Sequence, residues 1–162
     1  RPMEKTLFNS AARQYQDMVY RIALHSFGNP QDAEDAVQEV FLRLYTAEKS
    51  FEGPDHLRHW LIRVTVNVCK DTLKSPWRRR RVSLEELPEE PVFDRPEQGE
   101  LYREVMRLPE KYRTVLYLFY YEELTVKEIG EALGLRTSAV TTRLHRARAK
   151  LKERLTEVWQ DE

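Results

Sequence analysis

Apolar residues recur along most of this chain with a period near 3.6 rather than two, so helices are predicted throughout and no stretch alternates like a half-buried strand. Leu7, Phe8, Ala11 and Tyr15, then Met18, Val19 and Ile22, trace a first helix or helix pair that stops at the turn signal Phe27-Gly28-Asn29-Pro30. A second helix starts there, with Ala33, Ala36, Val37, Val40, Phe41 and Leu44 as its buried stripe. After the loop from Ser50 to Asp55, a third runs from about His56 to Lys74 and turns Leu57, Trp60, Leu61, Val64 and Val68 inward.

The most specific pattern lies near the carboxyl end. Thr125 and Glu128 have the spacing of a capping box, and Val126, Ile129 and Leu133 then share one helical face. Gly134 tolerates the left-handed backbone of a tight turn, and Thr137 or Ser138 can cap the next helix, whose stripe is Val140, Leu144, Ala147 and Leu151. Two short amphipathic helices joined at a glycine predict a helix-turn-helix. Opposite the second stripe, Thr141, His145, Arg148 and Lys152 fall within about 60° of one another, with Thr142 and Arg146 at the edges. From Arg136 to Arg154 there are seven Lys or Arg and one acid, Glu153, a balance that favours a phosphate backbone through counterion release. A charge run alone also fits a plain solvated helix; the capped first helix and the glycine turn are what point to duplex DNA.

Charge changes the picture of organisation more than composition does. Net charge is zero over the 162 residues, yet residues 1–81 carry 14 basic and 10 acidic groups, residues 82–100 one and seven, and residues 101–162 twelve and ten. The middle stretch also holds Pro88, Pro91 and Pro96, which predicts an extended acidic linker. The expected organisation is an all-α chain of two small helical domains, 3–81 and 101–162, joined by the linker 82–100. No apolar run approaches the roughly 18 residues of a membrane span and no charged-then-apolar leader is seen, so a cytoplasmic chain with no membrane insertion of its own is expected. The single Cys69 allows no internal disulfide and reads as a small packing residue.

Two further surfaces of the amino-terminal lobe carry candidate chemistry. Asp32, Asp35, Gln38 and Glu39 gather on more exposed positions of the second helix; they complement the helix macrodipole or form an acidic docking face. On the third helix, His59, Arg63, Asn67, Lys70 and Lys74 lie within about 80° of one another, and Trp77 and Arg78 to Arg81 follow directly, a face suited to a sugar-phosphate backbone. His56 and His59 have no companion cysteine cluster or HExxH pattern, so no metal and no cofactor are expected. With no phosphate loop or nucleophile elbow either, enzymatic chemistry is not expected.

The segments Asp32 to Tyr45, Phe51-Glu52-Gly53, Leu57 to Asn67, Leu108-Pro109 with Arg113, and the terminal helix-turn-helix, in this order and spacing, resemble the extracytoplasmic-function group of bacterial sigma factors. The resemblance implies a transcription initiation subunit with a region 2-like lobe, an acidic linker and a region 4-like lobe. It implies that Asp32, Asp35, Gln38 and Glu39 dock on the clamp helices of core RNA polymerase. Phe51, Gly53, Asp55 and His56 of the loop, with Trp60, Arg63, Asn67 and Lys70 of the following helix, would meet the minus-10 element of promoter DNA as it opens. Thr141, Thr142, His145 and Arg146 would read the minus-35 element, with Arg136, Arg143 and Arg148 nearer to phosphates. An anti-sigma factor is the implied regulatory partner. The chain departs from the common pattern at Gly130, where an Ala is usual, in Arg136-Thr-Ser-Ala-Val140, where a Gly-Thr-Val segment is usual, and at Thr141-Thr142, where a Lys or Arg precedes a Ser. The two threonines suggest a minus-35 preference that leans on a thymine methyl. The competing readings are a stand-alone helix-turn-helix repressor or activator binding duplex DNA, and an amino lobe that only binds protein.

Overall fold

The computed structural model describes residues 2–75 and 93–160, with side chains as far as 157. Trp77, the run Arg78 to Arg81 and the linker as far as residue 92 lie outside the described residues. The chain divides into two compact units, Arg1–Pro88 and Glu89–Glu162. All regular structure among the described residues is helical.

The first unit holds α1 (Lys5–Phe27), α2 (Pro30–Thr46) and α3 (Pro54–Lys74), each packed on the other two. The turn between α1 and α2 uses three consecutive residues for three tasks. Gly28 takes the left-handed conformation at φ 68° and its N–H closes on the Leu24 carbonyl; Asn29 accepts from the N–H groups of Gln31 and Asp32; Pro30 occupies the first turn, where no donor is needed. Val19, Ile22, Ala23, Val40, Leu44, Leu61 and Ile62 fill the core. Cys69 is buried among these helices.

α3 differs from expectation in two ways. It starts at Pro54, because proline at the helix start needs no donor and already has a helical φ. Its buried face is Leu61, Ile62, Thr65, Val66, Val68 and Cys69, whereas Leu57, Trp60 and Val64 are only half-buried. The stripe is rotated because Thr65, which looks polar in the sequence, satisfies its hydroxyl on the Leu61 carbonyl at 2.6 Å and so enters the core at no hydrogen-bonding loss. Trp60 is left half-buried.

The second unit comprises α4 (Pro96–Arg107), α5 (Glu110–Leu116), a π-helical turn (Tyr117–Tyr121) continuing it, α6 (Val126–Leu133) and α7 (Thr137–Gln160). α7 packs against α4, α5 and α6 around Val115, Leu118, Leu124, Ile129, Val140, Leu144 and Ala147. The stretch 96–100, expected as extended linker, is the start of α4: Pro96 again opens a helix, and Gly99 is buried. Glu104 is the buried acid of this unit. Its carboxylate accepts from Arg107 at 2.8 Å and from Arg154 at 2.9 Å, fastening α4 to α7, and the Arg154 guanidinium is held above its usual pKa by that bond. Arg113 is shifted the other way, because burial disfavours its charge and Glu110 and Tyr102 only partly offset this.

Candidate nucleic-acid interface

The helix-turn-helix is built from short-range contacts. Thr125 Oγ1 accepts from the Glu128 N–H at 3.1 Å while the Glu128 carboxylate accepts from the Thr125 N–H at 2.9 Å, which satisfies two orphan donors at the start of α6. At its end Gly134 is left-handed at φ 69°, and the N–H groups of Gly134 and Leu135 both close on the Gly130 carbonyl. The chain passes so close there that a Cβ on Gly130 would stand 2.7 Å from the Leu135 carbonyl oxygen. A side chain at position 130 would therefore force the backbone of this turn to shift. α7 begins at Thr137, its first bonds closing on the Arg136 carbonyl, so Thr137 lies inside the helix and not at the cap.

Val140, Leu144 and Ala147 are buried, which turns Thr141, Thr142, His145, Arg146 and Arg148 outward; Arg136 is exposed and Arg143 half-exposed. Thr142, Arg143 and Arg146 line a notch of about 290 Å³ together with Ser138, Tyr112 and Lys111. Lys111 belongs to α5 and was not singled out in the sequence, because only folding brings it beside α7. Arg148 is engaged in a way the sequence conceals: its Nε donates to the Tyr120 hydroxyl, and its guanidinium lies 5.3 and 5.4 Å from the Phe119 and Tyr120 ring centres.

In the first unit, Phe51 stands edge-on to His56 at 5.2 Å and to Trp60 at 5.5 Å between centroids. The Glu52 N–H donates to His56 Nδ1 at 3.1 Å, so that ring nitrogen is an acceptor and the loop is tied to the first turn of α3. Beside this cluster opens a cavity of about 760 Å³, lined in part by Ser10, Gln14, Tyr15, Glu48, Ser50 and Phe51, with Gly53 at its wall. Asp55 is exposed. Along α3, Arg63, Asn67 and Lys74 are exposed and His59 and Lys70 half-exposed, so none of the five residues of the expected polar stripe is buried.

The acidic face of α2 needs one correction. Asp35 and Gln38 are exposed and Glu39 is half-exposed, held 2.9 Å from Arg43, but Asp32 is buried. Asp32 continues the i, i+4 row of Ala36, Val40 and Leu44, and its place in the first turn of α2 puts it under cover. Leu42 and Tyr45, exposed apolar residues of the same helix, were missed by the sequence reading. Among the described residues no three His, Cys, Asp or Glu side chains are grouped as metal ligands, and no helix is long and apolar enough to cross a membrane.

Comparison with known proteins assigns both units. The family described as Sigma-70 region 2 matches residues 11–79, and that described as Sigma-70, region 4 matches residues 98–151. The ECF RNA polymerase sigma factor SigW of Bacillus subtilis is 30% identical over 161 residues, covering 89% of this chain and 86% of SigW. The RNA polymerase sigma-E factor of Streptomyces coelicolor is 34% identical over 155 residues, covering 91% and 85%. Among solved structures, the sigma factor RpoE in complex with the anti-sigma factor NepR from Bartonella quintana has the same fold, with a TM-score of 0.77 at 19% identity over 92% of this chain and 96% of that one.

Proposed function

The chain belongs to the extracytoplasmic-function group of sigma-70 RNA polymerase sigma factors, and from that premise we propose how its two units share the work. It is a transcription initiation factor that binds core RNA polymerase and directs it to promoters. The observation that supports the division of labour is the presence, on one chain and in order, of two compact units, the first matching Sigma-70 region 2 and the second Sigma-70 region 4.

The exposed part of the α2 face, Asp35, Gln38 and Glu39 with Leu42, docks on core polymerase: carboxylates for a basic partner around an apolar contact. Asp32 supports that helix from within. The loop Phe51, Gly53, Asp55 and His56, with Trp60, Arg63, Asn67 and Lys70, holds the opened minus-10 strand; unstacked bases meet aromatic edges and a cavity, and the cations follow the backbone. α7 enters the major groove at the minus-35 element with Thr141, Thr142, His145 and Arg146. Arg136 and Arg143, joined by Lys111, meet phosphates. The acid-rich stretch from residue 82 to the start of α4 lies by the RNA path, where carboxylates resemble RNA phosphate. A dedicated anti-sigma factor holds the chain inactive, as NepR partners the Bartonella quintana factor. Neither family match favours a stand-alone repressor or activator.

The test is transcription reconstituted from core polymerase and a promoter library, with and without this chain. Specific start sites appearing only with it are expected, and their enriched sequences give both promoter elements; core that gains nothing would remove the initiation role.

A further inference from the structure

Thr141 and Thr142 sit in the second turn of α7, both exposed, where a helix in the major groove meets base edges. A threonine hydroxyl ordinarily offers one donor and two acceptor positions. Here each donor is committed: Thr141 Oγ1 donates to the Thr137 carbonyl at 3.0 Å and Thr142 Oγ1 to the Ser138 carbonyl at 2.9 Å. Each side chain therefore presents a methyl group and an oxygen that can only accept.

That combination selects among bases. Guanine shows two acceptors, N7 and O6, to the major groove, and an oxygen without a free hydrogen gives them nothing. Thymine is the base that shows a methyl group there. We infer that Thr141 and Thr142 are specificity-determining residues that read thymine in the minus-35 element by methyl contact and not by hydrogen bonding. The inference rests on the assignment of α7 to that element. The two hydroxyls act inside the helix, fixing χ1 so that each methyl is presented in one orientation.

The experiment uses holoenzyme formed from the full chain and core polymerase, bound to a promoter enriched in the library selection, with each minus-35 thymine replaced in turn by deoxyuridine, which lacks only the 5-methyl group. Binding weakens about three- to fourfold at one or two positions, the scale of one buried methyl. Thr141→Val and Thr142→Val keep that penalty, because valine retains a methyl where threonine has one. Thr141→Ser and Thr142→Ser bind thymine and uracil alike. Loss in the valine variants with retention in the serine variants would assign recognition to the hydroxyl and overturn the inference, as would neutral deoxyuridine at every minus-35 thymine or an enriched element with none. Deleting the minus-35 element separates the two levels. If binding depends on that element while deoxyuridine is neutral, only the methyl reading falls; if binding is indifferent to it, the placement of α7 falls as well.

Discussion

The two candidate DNA faces, along α3 and along α7, are alike in outline and opposite in support. Each is a long helix with cations on its outer side. α7 is backed by Val140, Leu144 and Ala147 and by a capped α6 whose turn closes twice on one carbonyl, and beside it lies a notch of about 290 Å³. The start of α3 leans on a loop held by edge-on aromatic contacts and one bond to His56, beside a cavity of about 760 Å³. A duplex has fixed groove geometry, so its reader gains from being rigid beforehand; a single strand brings loose bases, so its holder needs space and ring faces. Support, more than charge, separates the two proposed roles.

The comparison breaks most sharply at Gly130. An alanine there drives its methyl into the Leu135 carbonyl, which the paired closures of Gly134 and Leu135 prevent from moving away. Gly130→Ala is expected to destabilise the second unit by about 2–3 kcal/mol, in the range for strain at a close backbone approach. Urea melts of the full chain would show an earlier transition for part of the amplitude, with minus-35 dependence of transcription lost. A melt unchanged from wild type would mean that the turn is less constrained than its geometry implies.

The next largest effect sharpens the other side. Trp60→Ala removes the half-buried ring that meets Phe51, a residue lining the cavity. Open-complex formation, followed by 2-aminopurine fluorescence in the minus-10 element, is expected to fall about tenfold, the lower part of the range for one base–aromatic stack, while affinity for core polymerase stays the same. Trp60→Phe should recover most of it. Equal losses in melting and core binding would make Trp60 a packing residue of the unit.

The same contrast decides what could be read from the chain itself. The helix-turn-helix was legible because its determinants are local: Thr125 with Glu128, the left-handed Gly134, and a stripe that α7 follows through Val140, Leu144 and Ala147. The turn at Gly28-Asn29-Pro30 was legible for the same reason. α3 was read with its face rotated, since periodicity counts Trp60 as buried and Thr65 as polar, and only the Thr65 hydroxyl's bond to Leu61 reverses them. Asp32 was placed outside on its charge, although its row along α2 runs through Ala36 and Val40 into the core. Lys111 beside Arg143, and Tyr120 beside Arg148, join residues far apart in sequence, which no local pattern reports.

A smaller effect is expected at the cap. Thr125→Ala removes the oxygen that receives the Glu128 N–H and should cost the second unit about 1 kcal/mol. Because α6 backs α7, minus-35 binding should weaken in proportion while promoter melting on a consensus minus-10 element is unaffected. Loss of melting with intact minus-35 binding would contradict the separation of the two faces.

The smallest effect concerns Arg148, a cation of α7 held by aromatic side chains of the π-helical turn. Its Nε bond to Tyr120 and its place over two rings bias it toward the π-helical turn and away from a phosphate, each contact being worth under about 1 kcal/mol at an exposed site. Tyr120→Phe keeps both rings and deletes the acceptor, so the fold should be unchanged and the guanidinium freer to swing. If the hydroxyl holds Arg148 back, the variant gains a phosphate contact, and the slope of minus-35 affinity against salt steepens by up to about one. An unaltered slope would mean that Arg148 reaches the backbone from where it stands, with Tyr120 orienting it there. In that case the rigidity expected of a duplex reader extends to Arg148.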